Sequence, residues 1–346
     1  MLFALQREKM KSNTAVHQKI KVLILFGPTA SGKTALLEKL FADGSTPAEI
    51  ISADSIQVYR GMDIGTAKPS AEERARIPHH LIDIRNPDEQ FNTGEFVRLA
   101  EEACFAANSL GALPVVSGGT GFYINNFVLG LSEAPPSDEQ VRAKLRDEIS
   151  ARGAASMMEE LAGADPVSAS NIHVNDEYRI LRALEVYRVS GRPLSSFPSP
   201  WSLSPGPSKE ERIANRPFDF IIIGLRRDRE ELYRRINERT KAMFRAGLPD
   251  EVKRLFKAGY TPSNPGLRAI GYREFFIEDN SLSGSWRLSE DLAGVEALVA
   301  QNSRRYAKRQ ITFFAPIPGV KWIDCGDDTD AFTEIQMELD RFQKSG

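Results

Sequence analysis

Gly27, Gly32, Lys33 and Thr34 stand in the spacing G-x-x-x-x-G-K-[ST], inside the run Gly27, Pro28, Thr29, Ala30, Ser31, Gly32, Lys33, Thr34. Glycines at those two places let backbone N–H groups curl around an anion, and a helix that starts where the run ends adds its positive pole. Lys33 has the reach for outer phosphates, and a Thr34 hydroxyl can ligate Mg²⁺. The spacing reads as a di- or triphosphate site. It does not say whether that phosphate is transferred, hydrolysed or released.

Three further side chains have the type and place to act on such a phosphate. Asp54, in "EIISADSIQVY", follows a short apolar run. It lies where a strand of a parallel sheet would end, the edge at which ligands bind in such folds. A carboxylate there can hold metal, accept a proton from a nucleophile, or sit in a plain surface turn. Thr120, in "SGGTGFY", follows a third apolar run. Its flanking glycines allow close backbone approach to a ligand or simply form a turn. Arg239 is judged by helical geometry. With Asp228 to Ala246 taken as a helix, Leu232, Ile236 and Met243 form an apolar stripe and Arg239 falls within it. An inward arginine must meet an acidic partner or an anion.

Guanine-nucleotide switches are excluded, since no N-K-x-D is present, and no strand ends in a clear Walker-B aspartate. Basic residues cluster three times in the second half of the chain: Arg179 with Arg182, Arg268 with Arg273, and Arg304, Arg305, Lys308 and Arg309 on one helix side. On that last helix Tyr306 and Phe313 fall on the opposite side. One such cluster is commonly a solvated face; three make a phosphate-backbone track more plausible.

The elements that must position these groups can be read from periodicity. Lys21–Phe26, Glu49–Ser52, Leu113–Val116 and Phe218–Leu225 are short apolar runs with strand character, and Thr34–Leu40 is helical. Their alternation predicts an α/β fold with a P-loop, a parallel sheet covered by helices on both faces. From about residue 131 to 190 the pattern is polar and helical. Ser137 with Gln140 suggests one helix start, and Asn175 with Asp176 another. The predicted organisation is a leader over 1–20, a core from 21–130 and 216–346, a helical insertion over 131–190, and a Pro/Ser-rich connector over 191–215.

The chain has 346 residues, 41% hydrophobic and 27% charged, with net charge −2, so bulk charge advertises no polyanion partner. Cys104 and Cys325 lie far apart, and the four histidines lack metal-site spacing, which argues against zinc and against a disulfide framework. No run approaches a membrane span, and the first residues lack a signal-peptide core. A cytoplasmic protein with no membrane partner is expected, with a monomer as the working assumption.

Together the segments "GPTASGKT", "ISADSIQVYRGMDIGTAKP", "PHHLIDI", "SGGTGFYI", "NDEYRILRALEVYRVSG", "GLRAIGYRE" and "AKRQITFF" resemble the tRNA dimethylallyltransferases, in order, from about Lys21 to Trp322. The resemblance implies transfer of a five-carbon dimethylallyl group from dimethylallyl diphosphate to N6 of the adenosine beside the anticodon, position 37. The phosphate loop, Gly27 to Thr34, would then hold a diphosphate that leaves, with Mg²⁺ near Thr34. Asp54 would be the general base, Arg239 would steady the leaving group, and Thr120 would orient the base or the diphosphate.

The resemblance also implies an interface with the tRNA anticodon stem-loop. Asp54, Ser55, Ile56, Gln57 and Thr120 would meet the target nucleotide. Arg142, Tyr178, Arg179, Ile180, Leu181 and Arg182 would contribute from the insertion. Arg268, Ala269, Ile270, Gly271, Tyr272 and Arg273 would form a second segment. Lys308, Arg309, Gln310, Ile311, Thr312, Phe313, Phe314 and Ala315 would form a third. The chain departs from the family pattern at Val174, where proline is usual, and at Phe313 and Ala315, where Trp and Arg are usual. The resemblance is to the bacterial type, in which no C-terminal zinc finger is expected. The rival readings are an isopentenyltransferase acting on free AMP, a small-molecule P-loop kinase, and a non-catalytic P-loop RNA-binding protein.

Overall fold

The fold is taken from a computed structural model, which describes residues 18–198, 206–279, 285–326 and 328–344. Most of the expected leader and part of the connector lie outside the described residues.

Six strands build one sheet: β1 (Ile20–Phe26), β2 (Ala48–Ser52), β3 (His79–His80), β4 (Leu113–Gly118), β5 (Phe218–Arg226) and, near the C-terminus, Lys321–Asp324. Two more, β6 (Phe276–Asp279) and β7 (Ser285–Leu288), pair as a separate hairpin, which makes Lys321–Asp324 β8. The sheet order is β3-β2-β4-β1-β5-β8, and every pairing is parallel. Val22 to Phe26 are fully buried because β1 lies at the centre, paired with β4 and β5. Strand alternation sends Val22, Ile24 and Phe26 to one face and Leu23 and Leu25 to the other. That is the parallel sheet covered on both sides that the sequence predicts.

The helices are α1 (Lys33–Phe41), α2 (Ala71–Arg76), α3 (Thr93–Ser109), α4 (Gly121–Leu129), α5 (Glu139–Ala164), α6 (Pro166–Asn171), α7 (Glu177–Ser190), α8 (Lys209–Ala214), α9 (Arg229–Arg245), α10 (Leu248–Lys257), α11 (Leu292–Phe314) and α12 (Asp328–Lys344). Phe96 of α3 and Phe127 of α4 pack on one sheet face; Leu36 of α1 and Ile335 of α12 pack on the other. A third cluster joins Val252 of α10, Tyr272, Phe275 and Val299 of α11 beside the sheet. Helices α5, α6 and α7 enclose an apolar cluster of their own, with Leu145, Met157, Leu161 and Ile180 at its centre. Among the described residues no helix is long and apolar enough to cross a membrane.

Local signals set most helix starts. Asp228 caps α9, its Oδ1 accepting from the N–H groups of Glu230 (2.8 Å) and Glu231 (3.1 Å). Asp176 caps α7 through the Arg179 N–H at 3.2 Å. The α5 cap is one residue later than the sequence suggests. Asp138, not Ser137, accepts from Gln140 and Val141 at 2.9 and 3.0 Å. Ser137 donates instead to the buried Glu185 carboxylate at 2.7 Å.

Candidate active site

Strand β1 delivers the chain into the loop Gly27–Thr34, and α1 begins where the loop ends. Ala30 and Gly32 adopt φ of 63° and 104°, which bends successive N–H groups toward one concave surface. A Cβ at Gly27 would stand 2.8 Å from Ser31 Oγ, so the loop's tight turn needs glycine there. Lys33 Nζ donates to the Gly27 and Pro28 carbonyls at 2.8 and 3.0 Å. Burial and the neighbouring Arg239 cation pull its pKa down to about 7, against the opposing charge of Asp54. Arg235 Nε donates to Ala30 O at 3.1 Å, and Arg227 Nη2 reaches Ser31 O at 3.4 Å. The loop therefore carries cations on its outer side as well as Lys33 at its base.

Asp54 follows β2 at the carboxyl edge of the sheet. Its Oδ1 accepts from the Ile56 and Gln57 N–H groups at 2.9 and 3.3 Å, which fixes the carboxylate's orientation. The segment is held from beneath: Ala53 N–H donates to Ser117 O (2.7 Å) and Thr120 N–H to Ala53 O (3.1 Å). A Cβ at Gly118 would come within 2.2 Å of Ala53 O, so only glycine fits. The Thr120 hydroxyl accepts from Ser55 N–H at 3.0 Å, so Thr120 ties the β4 end to the Asp54 loop. Gln57 Oε1 accepts from Ser52 Oγ at 2.9 Å.

Arg239 lies on α9 where the apolar stripe predicts, between the buried Ile236 and the partly buried Met243. Burial lowers its pKa and the Asp54 carboxylate raises it. Asp54, Lys33 and Arg239 thus converge on one region. That region borders a cavity of about 810 Å³, lined by Thr29, Lys33, Thr34, Asp54, Arg235, Arg239 and Tyr306 among others. A second cavity of about 280 Å³ continues on the other side, bordered by Ser55, Ile56, Arg268, Gly271, Ser303 and Arg309. Thr29, Asp54, Thr66, Arg239 and Tyr306 line both. Asp54 and the partly buried Arg239 stand in a common wall between a phosphate-loop cavity and a cavity edged by exposed arginines.

Sequence reasoning named neither Tyr306 nor Thr66 as a site residue, and it gave Gln310 another role. Tyr306 is the ring in that common wall. Burial and the Asp54 charge push its hydroxyl up to about 12. Gln310, assigned above to an RNA surface, is buried. It accepts from Thr29 N–H (2.9 Å) and donates to Gly119 O (2.7 Å), bracing the phosphate loop against the Thr120 loop. The spacing of four between Tyr306 and Gln310 places both on the inner side of α11, opposite the basic face, and that is the signal that could have found them.

The other residues named for an RNA interface divide by burial. Tyr178, Arg179, Arg268, Arg273, Lys308, Arg309, Ile311, Thr312, Phe313 and Ala315 are exposed. Ile180, Tyr272 and Phe314, expected at that interface, are fully buried, and Ala269 and Gly271 are buried as well. Phe314 packs on Phe26 with ring centroids 4.5 Å apart. Ile180 fills the α5–α7 core, and the Tyr272 hydroxyl donates to Glu251 at 2.7 Å. Arg142 and Arg182 hold the buried Glu185 at 3.2 and 2.8 Å. The Arg142 guanidinium also lies 5.4 Å from the Tyr178 ring centroid.

Known proteins resemble this chain over most of its length. The family described as IPP transferase matches residues 57–316, and the one described as Isopentenyl transferase matches residues 20–89. The chain is 42% identical to a tRNA dimethylallyltransferase of Geobacter sulfurreducens, over 93% of this chain and 97% of that protein. It is 44% identical to tRNA dimethylallyltransferase 2 of Geotalea uraniireducens, over 88% and 93%. The fold matches the crystal structure of the tRNA isopentenylpyrophosphate transferase of Bacillus halodurans. The TM-score is 0.61 at 34% identity, covering 94% of this chain and 99% of that one.

Proposed function

This chain belongs to the IPP transferase family, the tRNA dimethylallyltransferases, and from that premise we propose how its residues carry the reaction. The acceptor is N6 of the adenosine at position 37 of tRNA, and the donor is dimethylallyl diphosphate. The observation that supports the reading best is the wall of Asp54, Arg239, Thr66 and Tyr306 common to two cavities. The larger cavity, over the phosphate loop, takes the donor. The smaller takes the adenine, which must leave the anticodon-loop stack to reach Asp54.

The exocyclic amine shares its lone pair with the ring and is a weak nucleophile. As its nitrogen bonds to the allylic carbon, Asp54 accepts the amine proton. The carbon–oxygen bond breaks and its electron pair leaves on the diphosphate. Lys33, the N–H groups of the loop and Arg239 meet that charge where it develops. Thr120 keeps the Asp54 segment in place and orients the base. Mg²⁺ suits a site offering the Thr34 hydroxyl and the donor's own oxygens, because it keeps several waters and needs few protein ligands. When bound it adds positive charge against the leaving group.

The exposed cations of α11, Arg268, Arg273 and the α5–α7 helices would follow the RNA backbone. The test is incubation of protein and Mg²⁺ with unmodified tRNA and dimethylallyl diphosphate, without ATP. Mass spectrometry should find a five-carbon adduct on the adenosine, lost in Asp54→Ala. Prenylation of AMP in place of tRNA, or consumption of ATP, would refute the reading.

A further inference from the structure

The loop between Asp54 and Pro69 is pinned at two places by buried charge. Near one end Lys68, its side chain 2% exposed, donates to Tyr59 O (2.8 Å), Asp63 Oδ1 (2.6 Å) and Asp83 Oδ1 (2.6 Å). The second pin is Glu251 in the first turn of α10, itself 2% exposed. Its Oε2 accepts from the N–H groups of Asp63 and Ile64 at 3.0 and 2.9 Å. Its Oε1 accepts from Gly65 N–H at 3.2 Å and from the Tyr272 hydroxyl at 2.7 Å. Three consecutive backbone N–H groups and a buried phenol converge on one carboxylate, which is how a buried anion is made tolerable. A Cβ at Gly65 would lie 2.6 Å from the Tyr272 ring, so the latch closes only over glycine.

The segment so held leads directly to the chemistry. Thr66 lines both cavities and Ala67 lines the larger one. The carbonyls of Thr66 and Ala67 accept from Gln57 Nε2, each at 3.4 Å. The Gln57 N–H in turn donates to Asp54 Oδ1. We propose that Glu251 is a positioning residue: it fixes the loop 63–67, and that loop, through Gln57, aims the Asp54 carboxylate at the acceptor amine. The inference rests on the reading of Asp54 as proton acceptor. It also accounts for a tyrosine that the sequence assigns to RNA and the structure buries.

The experiment compares full-length wild type, Glu251→Gln, Tyr272→Phe and Asp54→Asn with tRNA and dimethylallyl diphosphate. Glu251→Gln should lower the single-turnover rate about ten- to a hundredfold, the size a small misplacement near reacting atoms produces. KM for both substrates should stay within about twofold. Hydrogen exchange should quicken at the amides of Asp63, Ile64 and Gly65 and stay unchanged in β1. Tyr272→Phe keeps the carboxylate and its three amide donors, and should fall between wild type and Glu251→Gln. A Glu251→Gln enzyme with faster loop exchange and an unchanged rate overturns the proposal. So does a loss confined to KM, or one explained by global unfolding while the folded fraction reacts normally. If Glu251→Gln does not fold, an unchanged rate in Tyr272→Phe overturns it. Full activity in Asp54→Asn would place the failure in the base assignment instead.

Discussion

Lys33 supplies a pH dependence that can be worked out before it is measured. With the donor site empty its pKa is about 7, because burial and Arg239 disfavour the ammonium. Above that pH the free enzyme holds Lys33 largely neutral. A bound diphosphate favours the charged form, so binding must take up a proton. Over the range between the pKa of the free enzyme and that of the complex, affinity falls about tenfold, or about 1.4 kcal/mol, per pH unit. The donor does not mask this, since phosphate second ionisations lie near pH 6 and are largely complete there. The sign for stability is separate. A lysine depressed from 10.5 to about 7 leaves the unfolded chain holding more protons across that window, so the empty fold gains stability as pH rises through it. The assay is calorimetry with an unreactive dimethylallyl diphosphate analogue, sulfur replacing the bridging oxygen, in two buffers of different ionisation enthalpy. Proton uptake should approach one per site above neutrality and disappear in Lys33→Met. A flat affinity profile, or the same uptake in Lys33→Met, would refute the argument.

Two further outcomes follow from the geometry. Tyr306 lines both cavities, so on the proposed mechanism its ring would face the allylic carbon as diphosphate leaves. Tyr306→Leu should lower kcat about tenfold with little change in KM, while Tyr306→Phe stays near wild type; steady-state kinetics with both variants checks this, and an equal loss in the two would assign the effect to the hydroxyl. Glu185, fully buried, accepts from Ser137, from the Asp138 N–H, and from Arg142 and Arg182. Glu185→Ala should cost about 3 kcal/mol by thermal unfolding and weaken tRNA binding while donor affinity holds, because two half-buried cations lose their partner.

What the sequence reveals of this molecule depends on how local each determinant is. The phosphate loop is legible because its φ requirements and its lysine are written within eight residues. Arg239 is legible because a helix repeats, so an arginine in the stripe of Leu232, Ile236 and Met243 declares its direction. The central strands read clearly because both of their faces are buried. Strand β3, with two residues, has no period to detect, and the short β6, β7 and β8 are scarcely better. Ser137 looks like a cap until a carboxylate 48 positions away takes its hydroxyl. Glu251 resembles any acid in a first helical turn, and only folding brings Asp63, Ile64 and Gly65 against it. Tyr272 and Phe314 lie in segments rich in exposed cations, so their sequence neighbours suggest a surface that the packing denies them.

The pairing of β1 with β5 has a consequence for synthesis. Ile20 pairs with Phe218 and Phe26 with Gly224, across an interval that holds α5 to α7 and the connector. At ordinary translation speeds about 10–40 s separate the appearance of the two strands at the ribosome. Throughout that wait β1, apolar from Val22 to Phe26, has an open edge at what becomes the middle of the sheet, the kind of edge that invites pairing with another chain. The interval also carries α5–α7, whose apolar cluster is drawn from nearby residues and can form while the edge stays open. A nascent chain arrested before Phe218 should therefore recruit holdase chaperones strongly, and one arrested well past Arg226 should release them.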